Sequence, residues 1–74
     1  MDKLTLRRFV FNEVLVLKLV EQTNAQATTW AVIVVTLDDN ENEDNLVCEE
    51  QFITKENAEI VFQNKYNCLL GLVE

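Results

Sequence analysis

Residues 30–37 read WAVIVVTL, and no other stretch restricts the fold as tightly. Ile33, Val34 and Val35 are β-branched; they lose side-chain freedom in a helix and fit a pleated surface. Side chains alternate along a strand, so Trp30, Val32, Val34 and Thr36 share one face, and Ala31, Ile33, Val35 and Leu37 the other. Both rows are largely apolar. Such a strand belongs inside a sheet and needs cover on both sides.

The cover has to come from very little protein. A chain of 74 residues is read as one domain, residues 1–74, with a small core. Its 49% apolar and 26% charged content is that of a globular protein rather than a disordered acidic tail. Proline is absent and Gly71 is the sole glycine, so turns have to rely on asparagine and aspartate.

The remaining elements follow from pattern. Residues 14–20, VLVLKLV, favour a strand, with Asn12 and Glu13 marking a bend after a first short strand over LTLRRFVF. A helix from Glu13 to Gln22 capped by Asn12 is the alternative, because nearly every residue in the run is apolar and periodicity separates the two poorly. Residues 22–28, QTNAQAT, read as a hairpin return. Strand pattern resumes at Leu46–Ile53, with DDNENEDN as the turn before it and Glu49 and Glu50 marking a solvated edge. Thr54 then opens a helix: its hydroxyl caps the first turn, and Glu56 sits at the favourable end of the helix dipole. Ala58, Val61, Phe62, Lys65, Tyr66 and Leu69 recur as one stripe facing the sheet, Asn67 is a stop, and CLLGLVE is a short terminal strand or apolar tail. The expected class is α+β: a small antiparallel sheet of three or four strands with one C-terminal helix, about residues 55–67, on one face.

One helix roofs one face only. Leu15, Leu17, Leu19 and Trp30 are therefore expected to supply a dimer or partner face, with a homodimer as the simplest way to cover the sheet.

The chain contains no histidine and no serine, which removes imidazole catalysis, histidine metal ligands and serine nucleophiles. Cys48 and Cys68 form neither a CxxC motif nor a disulfide framework. No glycine-rich loop offers a seat for a nucleotide. Adjacent Glu49 and Glu50 would point to opposite faces of a strand and cannot share a substrate. The expectation is a protein without catalytic residues or a cofactor. The start, MDKLTLRRFVFNEV, lacks a secretory pattern and no apolar run reaches membrane-spanning length, so the cytoplasm is the expected compartment.

Residues 38–50, DDNENEDNLVCEE, hold seven carboxylates without a lysine or arginine. They admit three readings. As a cation loop, Asp38, Asn40, Asn42, Asp44 and Glu49 fall at the first, third, fifth, seventh and twelfth positions of an EF-hand, but Glu43 occupies the place that needs glycine and the flanks read as strands. As a solvated turn, the stretch confers solubility alone. As a docking surface, Asp38, Asp39, Glu41, Glu43, Asp44, Glu49 and Glu50 face a basic partner. The charge division suits both the second reading and the third: residues 1–37 carry four basic and three acidic side chains, and residues 38–74 two basic and ten acidic, for a total of −7. Such a field steers toward basic proteins and repels nucleic acid. The expected function is that of a small acidic interaction module, an inhibitor or regulator that occupies a basic surface. The alternatives are a structural homodimer subunit and a weak cation-binding loop.

Overall fold

The structure, a computed structural model, describes residues 2–73. Four strands come first: β1 (Asp2–Phe11), β2 (Leu15–Thr23), β3 (Thr28–Leu37) and β4 (Glu43–Phe52). A single helix, α1 (Lys55–Val73), follows. The strands form one antiparallel meander in the order β1-β2-β3-β4, so β3 is internal, as its two apolar rows require, and β1 and β4 are free edges. The expected α+β architecture is what the chain adopts. No helix among the described residues is long and apolar enough to cross a membrane.

Pairing settles the ambiguous second run. Residues 15–23 are a strand, not a helix, with Leu17 opposite Val34 and Leu19 opposite Val32 on one face. These four join Phe11, Ala58, Phe62 and Leu69 in the core beneath α1. The helical stripe is the expected one: Ala58, Phe62 and Leu69 are buried, and Val61, Lys65 and Tyr66 are half-buried. Thr54 caps the helix, its Oγ1 accepting the Asn57 N–H at 3.3 Å.

Two boundaries differ from expectation. The helix does not stop at Asn67 but runs to Val73, because Leu69 continues the buried stripe and rewards another turn of helix. The expected terminal strand is therefore helix as far as Val73; Glu74 lies outside the described residues. Strand β4 begins at Glu43 rather than Leu46, which shrinks the acidic turn to residues 38–42.

Asparagine and aspartate make the turns, each by a side-chain or backbone device. Asn24 Oδ1 accepts the N–H groups of Gln26 and Ala27 at 2.8 and 2.9 Å. Asp38 Oδ1 accepts those of Asn40 and Asn42, both at 2.9 Å. At the first hairpin, Asn12 and Glu13 both have positive φ, 52° and 62°, and Val14 N–H donates to Phe11 O at 3.1 Å, the pattern of a type I′ turn. Glutamate is strained there, whereas the only glycine, Gly71, sits inside α1 with open space around it. Exchanging these preferences has a predictable result. Glu13→Gly should stabilise the fold by about 1 kcal/mol by relieving the left-handed backbone. Gly71→Ala should add about 0.5 kcal/mol, less than a mid-helix site because the helix end frays. Urea midpoints of the two variants measure both effects, and an unchanged or lowered midpoint for Glu13→Gly would refute the strain.

Candidate functional site

The register divides the sheet into two faces. One carries Leu15, Leu17, Leu19, Val32, Val34 and Trp30 and lies under α1. The other carries Val16, Lys18 and Val20 on β2 and Ala31, Ile33 and Val35 on β3. The residues expected to meet a companion are thus on the helix side: Leu17 and Leu19 are in the core, and Leu15 and Trp30 pack against it half-buried. The Trp30 Nε1–H is buried without an acceptor.

The face opposite α1 is already dry at its centre. Val16 and Ala31 have 0% exposure and Val20 and Val35 are buried, although none of them belongs to the cluster under the helix. The cover comes from side chains of the chain itself. Glu43, on β4, accepts a hydrogen bond from Lys18 Nζ at 2.6 Å and lies 3.4 Å from Arg8 Nε, joining β4 to β2 and β1. In a flat sheet the first and fourth strands would stand roughly 14 Å apart, too far for arginine and glutamate to meet comfortably. Strand β4 carries two register shifts against β3, between Val34 and Leu37, and bulges of this kind bend and twist an edge strand. The twist brings Glu43 to the Lys18 and Arg8 side chains on the face that carries Val16 and Val35. The Lys18 side chain is 18% exposed and that of Glu43 35%. The Lys18 hydrogen bond, with the charges of Lys18 and Arg8, holds the Glu43 carboxyl below its usual range against the opposing effect of partial burial.

The seven acidic residues therefore do different things. Asp38 organises the turn through its two backbone hydrogen bonds. Glu43 is held by Lys18 and Arg8, and Glu50, on the helix side of β4, lies 3.9 Å from Lys65 Nζ. Asp39 and Glu41 are exposed in the turn, with Glu41 at φ 63°. Asp44 and Glu49 are exposed on β4, where Glu49 accepts a hydrogen bond from Gln51. Four carboxylates, those of Asp39, Glu41, Asp44 and Glu49, thus neither join an ion pair nor hold the turn backbone among the described residues, and they lie along one hairpin and its edge strand. Of the residues considered as cation ligands, Asp38 is engaged with the turn backbone, Asn40 and Asn42 donate their N–H groups to it, and Asp44 and Glu49 lie on the strand. Among the described residues no three acidic or thiol side chains gather where a metal ion could be held.

Two contributors escape the sequence pattern. Lys18 stands out as the sole charge in an apolar run, but nothing local shows that it answers a carboxylate 25 residues away. Arg8 reads as edge solubilisation, yet it shares the same partner. A shallow groove of about 250 Å³ at the far end of the sheet is lined by Asp2, Lys3, Leu4, Glu21 and Thr23, strand-end side chains open to solvent. In comparisons with protein-family models, curated proteins and solved structures, nothing matches this chain.

Proposed function

We propose that the protein is a non-catalytic interaction module of the cytoplasm that acts by occupying a basic surface of a partner protein. The supporting observation is the placement of its free carboxylates. Asp39 and Glu41 sit on a turn whose backbone is fixed by Asp38, and Asp44 and Glu49 sit on a strand of the sheet, not on a mobile loop. Carboxylates held in fixed positions lose little conformational entropy on binding, and their summed field accelerates encounter with a positive patch. A basic enzyme of nucleic acid metabolism is the type of partner whose binding groove such a surface would block. The role is inhibition or regulation by occupancy, with no covalent step and no cofactor.

The test compares the wild-type chain with a variant in which Asp39, Glu41, Asp44 and Glu49 are replaced by their amides. Immobilised wild-type protein should retain a defined basic partner from its source cells at low salt, release it at high salt, and lose it when duplex DNA competes for the same groove. The amide variant, with shape and packing preserved, should retain at least about tenfold less. Equal retention by the two proteins would remove the acidic surface from the function.

A further inference from the structure

We propose that β1 of one copy adds to β4 of a second copy, so that the protein self-associates head to tail through its two free sheet edges. This inference needs only the edges and does not rest on the docking reading above. The meander leaves β1 and β4 unpaired on their outer sides, each ten residues long. They run antiparallel to each other within the sheet, so a second copy in the same orientation continues the ladder without a change of sense.

The charges of the two edges are opposite. Strand β1 carries Lys3, Arg7 and Arg8 with one acid, Asp2; β4 carries Glu43, Asp44, Glu49 and Glu50 with no base. One register satisfies charge and face together. Arg7 pairs with Leu19 and Phe9 with Leu17, so both stand on the helix side, whereas Arg8, opposite Lys18, stands on the other. On β4, Glu50 and Cys48 stand on the helix side, opposite Val32 and Val34, and Glu49, opposite Ile33, on the other. Placing Arg8 against Glu49 of a second copy therefore sets Arg7 against Glu50 and Phe9 against Cys48, every pair on a common face. Directly opposed side chains of opposite charge stabilise an antiparallel pair.

Irregularities lie outside the matched segment. The bulge in β1 falls between Thr5 and Arg7, and those against β4 end at Cys48, leaving Arg7–Phe9 and Cys48–Glu50 as regular strand. Exposed apolar groups accompany the charges: Phe9 and Val10 on β1 are 41% and 47% exposed, and Leu46 and Val47 on β4 are 58% and 57% exposed. Adding a strand would cover these and satisfy the free backbone groups of both edges. A head-to-tail contact closes into a ring or grows, depending on the rotation between copies.

The experiment is sedimentation velocity over a dilution series for the wild type, for Arg7→Glu with Arg8→Glu, and for Glu49→Lys with Glu50→Lys. Wild type should associate as concentration rises, and each reversed variant should weaken that association by at least about tenfold. An equimolar mixture of the two variants should associate again, since each supplies the edge the other has lost. The lysine variant is the sharper arm. It makes the chain less negative, so general repulsion between copies predicts tighter association, whereas edge pairing predicts weaker.

Arg7 also lies over the Phe62 ring and Arg8 holds Glu43, so the first variant needs a fold check by circular dichroism. If it unfolds, hydrogen exchange of wild type carries the test. Amides of residues 7–9 and 48–50 should gain protection on association, and protection confined to other segments would overturn the pairing. A wild type that stays monomeric throughout, an assembly indifferent to the lysine variant, or folded variants that fail to associate when mixed would each overturn it as well.

Discussion

Phe62→Ala should remove about 3–5 kcal/mol of stability. Phe62 is 1% exposed and sits at the centre of the contact between α1 and the sheet. Its ring lies 6.0 Å from that of Phe9, and the Arg7 guanidinium lies 5.6 Å above it. Phe9 in turn meets Tyr66 edge-on at 5.0 Å, and Tyr66 meets Phe11 at 5.5 Å, so a single ring anchors the aromatic seam between β1 and the helix. Truncating a buried phenylalanine costs about 3–5 kcal/mol, from lost transfer free energy and the cavity left behind. A domain of this length is held by roughly 4–11 kcal/mol in total. The loss is therefore comparable to the lower end of what the whole fold commands. Leu72→Ala provides the contrast: Leu72 lies on the same helix but is 75% exposed, and its truncation should change stability by less than about 0.5 kcal/mol. Urea unfolding followed by far-ultraviolet circular dichroism measures both. A Phe62→Ala midpoint close to wild type would show that the helix is not held through this ring.

The contrast also explains which parts of the fold were legible in the sequence. Residues 30–37 announce an internal strand because β-branched residues fill both of its faces, and the structure places β3 between two neighbours. The helix declares itself through Thr54 and the stripe from Ala58, local signals that survive without knowledge of the rest. Its end was hidden because Asn67 is a local stop signal, whereas Leu69 is retained by burial against distant strands. The start of β4 was hidden for a related reason. Glu43 and Asp44 have poor strand propensity, and what extends the strand to them includes an ion pair with Lys18 and Arg8, 25 and 35 residues earlier. Candidate-site residues follow the same rule. That Glu49 and Glu50 point to opposite faces is readable from alternation alone. Which carboxylates are consumed internally requires the pairing register, and so does the fact that Leu17 and Leu19 look inward.

The link from Glu43 to Lys18 and Arg8 governs the second large effect, an acid-dependent loss of stability that Glu43→Gln should blunt. Lys18 and Arg8 are the charged groups that face the Glu43 carboxylate, and both favour its ionised form. A carboxyl whose pKa is lower in the folded chain than in the unfolded chain binds its proton more readily after unfolding. The stabilisation is therefore complete above the unfolded value, 4.5, and is lost as pH falls through the lower folded value. At neutral pH, Glu43→Gln should cost about 1 kcal/mol. That is the upper part of the range for partly exposed pairs; solvent screens Glu43, but Lys18 is mostly covered and would be left without its counter-charge. Below pH 4.5 the wild type should lose this advantage, so the two stability curves should converge as acid is added. Lys18→Met together with Glu43→Gln should recover much of the loss, because an apolar side chain of similar length keeps the bulk of Lys18 without a largely covered, unpaired ammonium. The contribution of the pair can then be separated from the contribution of its bulk. Curves for wild type and Glu43→Gln that stay parallel from neutral pH into acid would mean that the carboxylate is not paired in solution. The dryness of the second face would then owe nothing to that ion pair.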